Sequence, residues 1–436
     1  MKEQIRIPTS KVQRATKFVK TGARVGSNYI KHYGKKLFNP DLSRDQLDQD
    51  NAEDIYASLS ELKGSALKVA QMLSMDKNVL PAPYQSKFSL SQYSAPPLSY
   101  PLVVKTFQKH FGKSPDALFD SFSKKAVNAA SIGQVHQATL DGKKLAVKIQ
   151  YPGVADSISS DLKIVRPIAA RMFRISTSEL EQYIGEVEEK LIEETDYTLE
   201  LTRSIELTKK SGHIERVTFP KYYPELSTDR ILVMDWLDGL HIREWLATGP
   251  DQRTRNEIGQ ALWNFYDHQI HVLKEVHADP HPGNFIITDD NKLGIIDFGC
   301  VKVIPHDFYE QYFRLMEHDI LDKNYDLEGL FLKLGFLTSD DTHKEKTLFM
   351  TIFREMIELL GRPFRNDSFD FGDDEYFNKI YEVGDRVSKM KEVRNSRSAR
   401  GNRHGLYINR TYFGLYNLLN ELKAQVRTGR KKLKAA

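Results

Sequence analysis

Two short segments in the C-terminal half of the chain constrain the fold most strongly: VHADPHPGNF at 276–285 and GIIDFG at 294–299. Asp279 stands third in His-x-Asp, Asn284 follows five positions later, and Asp297 opens Asp-Phe-Gly after a short predicted hairpin. This order and spacing are typical of the catalytic loop and the metal-binding triplet of enzymes that transfer phosphoryl groups. Asp-Phe-Gly alone would be a turn, but three matches in the right order predict a catalytic centre.

The side chains in these segments suit phosphoryl transfer. Asp297 offers a hard carboxylate to magnesium and Asn284 offers a neutral oxygen, so both are predicted metal ligands. Asp279 would orient or deprotonate the attacking hydroxyl group and is the predicted catalytic residue. The sequence therefore predicts a site for ATP and Mg²⁺.

A predicted β-hairpin upstream carries a lysine that would bind phosphates. Two β-rich runs, at 126–140 and 143–153, are joined by Asp141-Gly142, a pair typical of tight hairpin turns. Lys148 lies on the second run, in LAVKIQ, where V-A-I-K of protein kinases places the lysine that holds the α- and β-phosphates. Taken alone, a solvated strand lysine remains the alternative.

The loop before this hairpin departs from the pattern G-x-G-x-x-G-x-V. Gly133 and Val135 are kept, whereas Asn128 and Ala130 stand where the first two glycines belong. Glycine lets backbone amides approach phosphates closely, so Cβ atoms here predict a stiffer loop and an altered nucleotide position. The predicted nucleotide contacts in this region are Asn128, Ala129, Ala130, Ser131, Val135, Ala146 and Lys148.

Two further segments complete the predicted nucleotide site. Glu194 and Asp196, in EETDY, are two apart, so on a helix they point to different sides and would serve different partners. In ILVMDWLDG, Met234 would lie behind the adenine, and the backbone from Asp235 to Leu237 would hydrogen-bond to the base. A solvated acidic helix face and an ordinary buried strand remain the alternatives.

Together these residues resemble the AarF/UbiB family of atypical kinases, a protein-kinase-like group linked to ubiquinone and other isoprenoid-lipid metabolism. The likeness covers roughly residues 61–422 and rests on H-A-D-P-H-P-G-N, on an alanine-rich loop running into S-I-G-Q-V-H, on E-x-D-Y, and on a helix with K-x-G-Q. Here the last motif reads Lys68-Val69-Ala70-Gln71, with Ala70 in place of glycine. Asn128 replaces the first alanine of the family's A-A-A-S.

The resemblance implies an α+β, two-lobed, atypical protein-kinase-like fold. The expected divisions are a basic amphipathic segment at 1–50, an N-terminal helical extension at 51–100, a β-rich N-lobe with inserted helices at 101–238 and a mainly helical C-lobe at 239–436. It also implies that Glu194 pairs with Lys148 and Asp196 with Lys68. In the family, the helix that would carry Lys68 and Gln71 covers the active site and occludes a protein substrate.

The expected substrate is not a protein. Protein kinases carry an activation segment ending in A-P-E, and no such tripeptide follows Gly299. We therefore expect an atypical kinase or ATPase that acts on a small molecule or lipid, or couples ATP hydrolysis to a conformational change. The resemblance implies a place in quinone or isoprenoid-lipid metabolism, with quinone-biosynthesis proteins as candidate partners.

Charge and hydropathy suggest where the protein acts. The formal net charge of +4 is concentrated at the ends, with Glu3 the lone acid before Pro40 and a basic tail from Lys423. Such ends could contact anionic membrane, or could simply be solvated; nucleic acid is not expected. No apolar run reaches the roughly 18 to 20 residues of a membrane span, and no secretory apolar core is present. With Cys300 as the single cysteine, a cytoplasmic location, peripheral to a membrane, is expected.

Two other functions remain open from sequence. One is a non-catalytic or catalytically weak scaffold with a kinase-like fold that binds nucleotide and organises partners. The other is a metal-dependent hydrolase that uses His277, Asp279 and His281, because alternating His-x-Asp-x-His can present ligands to zinc or iron. The hydrolase leaves Lys148 and the Asp-Phe-Gly triplet unexplained.

Overall fold

The computed structural model describes most of the chain and divides it into two compact units. The first unit comprises Met1–Thr202 and Lys221–Trp236, and the second comprises Arg203–Pro220 and Leu237–Ala436. The four predicted divisions of the sequence stay predictions beside this grouping. The described residues are 11–36, 39, 45–62, 83–84, 87, 97–129, 132–172, 184–185, 188–189, 191–322, 325–394 and 400–429.

An antiparallel sheet organises the first unit. With strands numbered along the whole chain, the sheet order is β1-β3-β4-β6, and β2 pairs with β3 at the edge. One face of this sheet packs on the helix Tyr100–Phe111 around a core that includes Phe107, Val147 and Val233. The strands are β1 Ser121–Phe122, β2 Asn128–Ala129, β3 Gly133–Leu140, β4 Lys143–Gln150 and β6 Ile231–Asp235.

The predicted hairpin is confirmed as β3 and β4. Its two turn residues both have positive φ, 48° at Asp141 and 75° at Gly142. A type I′ turn requires positive φ at both central positions, and its twist matches the twist of the paired strands. The turn fixes the register in which Val135 lies opposite Lys148.

Two polar side chains of the S-I-G-Q-V-H motif are buried on the core face of the first sheet. Gln134 accepts a hydrogen bond from the backbone N–H of Leu98 at 2.6 Å, and its amide nitrogen lies 2.8 Å from Nε2 of His136. Nδ1 of His136 lies 2.7 Å from the carbonyl oxygen of Ser123, so Nδ1 carries the proton and Nε2 accepts. These motif residues therefore anchor the chain before β1 to the sheet.

Helices make up much of the rest of the first unit. The helix Lys11–Lys36 is joined to the helix Val154–Met172 by a buried ion pair, in which Nε of Arg14 lies 2.7 Å from Oδ1 of Asp161. The helix Asp45–Leu62 begins before the N-terminal helical extension expected at 51–100. The last helix, Tyr197–Ser211, runs across the division at Thr202.

The second unit contains three small sheets. Strands β5-β10-β9-β7 form one, in which β5 is parallel to β10, while β11 pairs with β8 and β12 with β13. Strand β5 therefore joins a different sheet from β6. The strands are β5 Val217–Thr218, β7 Leu240–His241, β8 Glu275–His277, β9 Phe285–Ile287, β10 Leu293–Ile295, β11 Val301–Val303, β12 Ser368–Asp370 and β13 Gln425–Arg427.

Helices dominate the second unit, as expected from its sequence. Several begin at side chains that accept hydrogen bonds from the first turn: Asp251 from Thr254 and Asn402 from His404. A π-helical turn, Gln269–Leu273, leads into β8. The α-helices are Ile242–Ala247, Gln252–His268, His306–Arg314, Leu327–Lys333, His343–Leu360, Asp374–Lys389, Lys391–Arg394 and Arg403–Glu421.

Strand β13 is hydrogen-bonded along both edges. One edge pairs with β12, with Val426 opposite Phe369. At the other edge, the N–H of Gln425 donates to Asn256 at 2.9 Å and that of Arg427 donates to Gln260 at 2.7 Å. Side-chain amides of the helix Gln252–His268 thus take the place of a further strand.

Among the described residues, no helix combines the length and the apolar character that crossing a membrane requires.

Candidate functional site

Four of the predicted nucleotide contacts share one face of the first sheet. Val135 lies opposite Lys148, and Ala146 lies opposite Met234. Because side chains alternate between the two faces of a strand, these four point away from the core face that carries Val147. The register therefore assembles the residues that sequence analysis assigned separately to the hairpin and to the later strand.

Lys148 forms a buried ion pair with Glu200 at this face. Its Nζ lies 2.7 Å from Oε1 of Glu200, and the two side chains are 15% and 3% exposed. The ammonium also lies 5.2 Å from the centre of the Tyr197 ring, within the range of a cation–π contact. A charge-assisted hydrogen bond in so sheltered a position fixes the ammonium of Lys148.

The structure pairs Lys148 with Glu200, while the pairing of Lys148 with Glu194 that the resemblance implies stays a prediction. The sequence reads as one helix through EETDY, but the helix is interrupted after Glu194 and a new helix begins at Tyr197. The carbonyl oxygen of Thr195, which the interruption releases, accepts hydrogen bonds from Gln150 at 2.9 Å and Arg230 at 2.8 Å. Because of this break, Glu194 and Glu200 do not lie on one continuous helix.

Asp196 caps the new helix. Its Oδ1 accepts a hydrogen bond from the N–H of Leu199 at 3.0 Å, and its side chain is exposed. The predicted partner Lys68 and its neighbour Gln71 lie outside the described residues. The pairing of Asp196 with Lys68 and the covering helix therefore stay predictions.

The loop before the hairpin is described in part. Asn128 and Ala129 form β2, which lies against Val135 and Gln134, whereas Ala130 and Ser131 lie outside the described residues. Gly133 has a packing reason to be glycine: a Cβ there would come within 2.7 Å of both the Ile149 carbonyl oxygen and the Tyr197 hydroxyl. The close approach of Ile149 and Tyr197 therefore favours glycine at this position.

The predicted adenine contacts lie where the chain passes from one unit to the next. Met234 is buried on β6, and the N–H groups of Asp235 and Trp236 donate to the carbonyl oxygens of Lys221 and Lys144. The Asp235 side chain accepts a hydrogen bond from the Tyr223 hydroxyl at 2.7 Å. These two N–H groups are therefore used within the protein, and the predicted backbone contacts of Asp235 to Leu237 with the base stay a prediction.

In the second unit, the hairpin of β9 and β10 brings the two predicted metal ligands together. Phe285 lies opposite Ile295, and the N–H of Ile296 donates to the carbonyl oxygen of Asn284 at 3.1 Å. Asp297 follows directly after this contact. Since antiparallel partners are neighbours at the open end of a hairpin, the backbone itself places Asn284 beside Asp297.

Both side chains present oxygen atoms suited to a hard cation. The amide nitrogen of Asn284 donates to the carbonyl oxygen of Asp279 at 2.9 Å, which leaves Oδ1 as the ligating atom. Oδ1 of Asp297 accepts a hydrogen bond from the N–H of Gly299 at 2.8 Å, which orients the carboxylate. A carboxylate and an amide oxygen are ligands that Mg²⁺ takes from proteins, so these residues fit that ion.

Asp279 is paired with an arginine that sequence analysis did not find. Nη2 of Arg410, on the helix Arg403–Glu421, lies 3.6 Å from Oδ1 of Asp279, and the side chains are 25% and 26% exposed. Arg410 stands far along the chain from the catalytic loop, and no local motif marks it. Only the packing of that helix on the loop reveals the contact.

The two histidines of the hydrolase alternative, His277 and His281, contact other groups of the protein. His277 is fully buried, with Nδ1 3.3 Å from the hydroxyl of Tyr266 and its ring 5.9 Å from that of Phe298. Burial raises the pKa of Tyr266 well above 10, so the hydroxyl keeps its proton. Nδ1 of His281 accepts a hydrogen bond from Gly283 at 3.1 Å. Within the described part of the chain, which includes His277, Asp279 and His281, no three His, Cys, Asp or Glu side chains are grouped to hold a metal.

Comparison of the sequence with models of known protein families shows the family of this chain. Residues 90–327 match the model of the ABC1 atypical kinase-like domain, and this range contains the site residues named above except Lys68, Gln71 and Arg410. The chain belongs to this family, the AarF/UbiB atypical kinases. The resemblance found in the sequence and the kinase-like α+β fold are both confirmed.

Two curated relatives and one solved structure illustrate the AarF/UbiB relationship. The chain is 31% identical to a probable serine/threonine-protein kinase, abkA, of Dictyostelium discoideum over 77% of this chain, but spans only 63% of that relative. It is 30% identical to the mitochondrial atypical kinase COQ8 of Saccharomyces cerevisiae, over 86% of this chain and 75% of COQ8. The structure of Rv3197 of Mycobacterium tuberculosis, solved with erythromycin, superposes with a TM-score of 0.59 at 25% identity, over 88% of this chain and 96% of that protein.

Proposed function

We propose that this AarF/UbiB protein binds ATP with Mg²⁺ and transfers or hydrolyses the γ-phosphate. The observation that carries the proposal is the ion pair between Lys148 and Glu200, at 2.7 Å. In protein kinases, a strand lysine must be paired with a helix glutamate before the enzyme is active. Here the pair lies on the sheet face that also carries Val135, Ala146 and Met234.

The roles of the polar residues follow from their chemistry. Lys148 would hold the α- and β-phosphates, since a fixed ammonium offsets their negative charge. Asn284 and Asp297 would hold magnesium, which neutralises charge on the β- and γ-phosphates when bound. Asp279 would orient the attacking hydroxyl or water and accept its proton.

The proposed acceptor is a small molecule, a lipid or water. The absence of A-P-E after Gly299 supports this, because the chain goes from β11 directly into the helix His306–Arg314. The resemblance of the sequence to the AarF/UbiB family supports a proposed role in quinone or isoprenoid-lipid metabolism. It also supports quinone-biosynthesis proteins as the proposed partners. An acceptor screen with radiolabelled ATP, comparing isoprenoid lipids with generic protein substrates, tests this part separately.

A peripheral membrane location is proposed from the helix Lys11–Lys36. Val19 and Ile30 on this helix are 72% and 76% exposed, and the helix ends with Lys35 and Lys36. Exposed apolar side chains with lysines are typical of helices that lie on anionic lipid. Co-sedimentation with anionic vesicles should exceed that with neutral vesicles, and Val19→Ser with Ile30→Ser should reduce it; equal binding to both vesicle types would remove the electrostatic part.

A catalytically weak nucleotide-binding scaffold is the second candidate. Asp279, Asn284 and Asp297 support catalysis over this alternative, because a scaffold needs the nucleotide contacts but not an acceptor-activating carboxylate. The two differ in turnover, so the decisive experiment measures ADP release under single-site substitution.

The experiment compares Asp297→Asn with Asp290→Asn. We expect magnesium-dependent ADP release that Asp297→Asn abolishes. Asp290 is the matched control, because it lies on the same hairpin but pairs with Lys292 at 2.6 Å in the exposed turn. If the wild-type protein binds ATP without releasing ADP, the scaffold is supported; if Asp297→Asn releases ADP like the wild type, the assigned magnesium site is wrong.

A further inference from the structure

The catalytic loop of the second unit is rich in acidic groups. The segment 277–299 contains Asp279, Asp289, Asp290 and Asp297, but no arginine and one lysine, Lys292. That lysine pairs with Asp290 in the exposed hairpin turn. Phosphoryl transfer spreads negative charge over three oxygens of the transferred group, and enzymes offset this charge with metal ions and with cationic side chains. A cation near Asp279 must therefore come from another part of the chain.

Arg410 brings such a cation to the loop. Its Nη2 lies 3.6 Å from Oδ1 of Asp279, and both side chains are about a quarter exposed, at 25% and 26%. This separation is longer than a direct hydrogen bond, so the guanidinium lies beside the carboxylate. Guanidinium groups bind phosphate oxygens through paired N–H donors and stay charged at any physiological pH.

Packing fixes Arg410 against the loop from both sides along its helix. One turn before it, Tyr407 packs with Ala278 and Cys300 in a buried cluster. One turn after it, Gly414 approaches Pro280 so closely that a Cβ there would lie 2.3 Å from Cγ of the proline. Residues three and four apart share a helix face, so the face that carries Arg410 is the face that contacts residues 278–280.

We propose that Arg410 is a catalytic residue whose guanidinium contacts the phosphoryl group as it is transferred. The inference rests on the proposed function of this site. As the bond from phosphorus to the ADP oxygen breaks and the bond to the acceptor oxygen forms, the acceptor proton passes to Asp279, and Arg410 neither gains nor loses a proton. Its contribution is to offset charge at the transferred group, as an arginine supplied within the chain does in other phosphoryl-transfer enzymes.

The test uses Arg410→Gln, Arg410→Lys and Arg410→Ala in the full chain, with Arg243→Gln as the matched control. Arg243 pairs with Glu421 at 2.7 Å, so it contacts the end of the same helix away from the loop. We expect Arg410→Gln to lower kcat for ADP release by about 10²- to 10³-fold, the effect of losing one charge-stabilising donor. ATP affinity should change by less than about threefold, and Arg243→Gln should leave kcat unchanged.

Two recoveries distinguish a catalytic role from a structural one. Arg410→Lys should keep part of kcat, and guanidinium ion added at a non-denaturing concentration should restore part of the activity of Arg410→Ala. Unchanged kcat in Arg410→Gln overturns the proposal, as does a loss of kcat that neither lysine nor guanidinium recovers. A wild-type protein that binds no ATP or releases no ADP defeats the proposed function itself, a result visible before any variant is compared.

Discussion

Glu200 holds the ammonium of Lys148 at 2.7 Å, from a helix that begins only three residues earlier, at Tyr197. The helix start positions the carboxylate, because Asp196 caps it and the Thr195 carbonyl is tied to Gln150. The position of Glu200 beside Lys148 thus depends on the interruption of helical structure that precedes Tyr197.

Replacing Glu200 by glutamine should weaken ATP binding. A lost charge-assisted hydrogen bond costs about 1.5–3 kcal/mol, or about 10- to 150-fold in affinity. Isothermal titration with ATP and magnesium measures the effect. Glu194→Gln is the matched control, since Glu194 is also buried. We expect it to lower ATP affinity less than Glu200→Gln does. A larger loss of ATP affinity in Glu194→Gln than in Glu200→Gln would favour the pairing of Lys148 with Glu194 that the resemblance implies.

Gly133→Ala should destabilise the first unit. The new Cβ would come within 2.7 Å of the Ile149 carbonyl oxygen and of the Tyr197 hydroxyl, and the backbone oxygen cannot rotate away. Overpacking of this kind costs about 1–3 kcal/mol, which a thermal melt should show as a lower Tm. Gly22→Ala, with nothing within 4 Å of its Cβ, should leave Tm unchanged or raise it. Adding Tyr197→Phe should recover part of the loss; no recovery would place the strain at Ile149 alone.

Acid should weaken the second unit at Asp341. This carboxylate accepts from Nη2 of Arg400 at 2.6 Å, and that contact lowers the pKa of Asp341 from 3.8 to about 2. A carboxylate whose pKa is lower in the folded than in the unfolded state stabilises the fold at any pH above the unfolded-state pKa. For Asp341 this contribution to the free energy of unfolding is about 2 kcal/mol, and it is lost as the pH falls from about 4 through 2.

Unfolding midpoints measured between pH 5 and pH 2 test this contribution. The wild type should lose stability over that range more steeply than Asp341→Asn, in which no carboxylate titrates. Equal slopes for the two proteins would show that the ion pair does not hold the carboxylate ionised.

His136 should make the first unit sensitive to mild acid. Burial lowers the pKa of His136 below 6.5 because it disfavours the charged ring, and the hydrogen bond with the Ser123 carbonyl oxygen opposes this effect. A protonated ring could also no longer accept a hydrogen bond from Gln134 at Nε2. A histidine with a lowered pKa stabilises the fold above about pH 6.5, and this stability is lost as pH falls through the folded value. His136→Asn keeps a donor for the Ser123 carbonyl but does not titrate. Its Tm should fall less than that of the wild type between pH 7 and pH 5; a parallel fall would contradict the assignment.

Local patterns predicted much of this molecule because their causes are local. The hairpin follows from Asp141-Gly142, because a tight hairpin turn requires the positive φ that both residues have. The hairpin then places Lys148 opposite Val135. The closeness of Asn284 and Asp297 along the backbone has a similar local cause, since a short hairpin brings its own ends together.

The residues that the sequence did not reveal depend on distant contacts. Glu200 lies on a helix that follows a break, where the Thr195 carbonyl oxygen accepts hydrogen bonds from Gln150 at the end of β4 and from Arg230 just before β6. Arg410 reaches Asp279 because Gly414, which is unremarkable in sequence, lets its helix rest on Pro280. Periodicity along one segment carries no information about such partners.

The two edges of β13 have a consequence for solubility. An exposed strand edge with unused N–H and C=O groups can pair with a strand of another molecule and begin aggregation. Any strand arriving at β13 would find the N–H groups of Gln425 and Arg427 already committed to Asn256 and Gln260. Replacing Asn256 and Gln260 by leucine should therefore leave the core of the fold unchanged, but should free this edge of β13 to pair with a strand of another molecule.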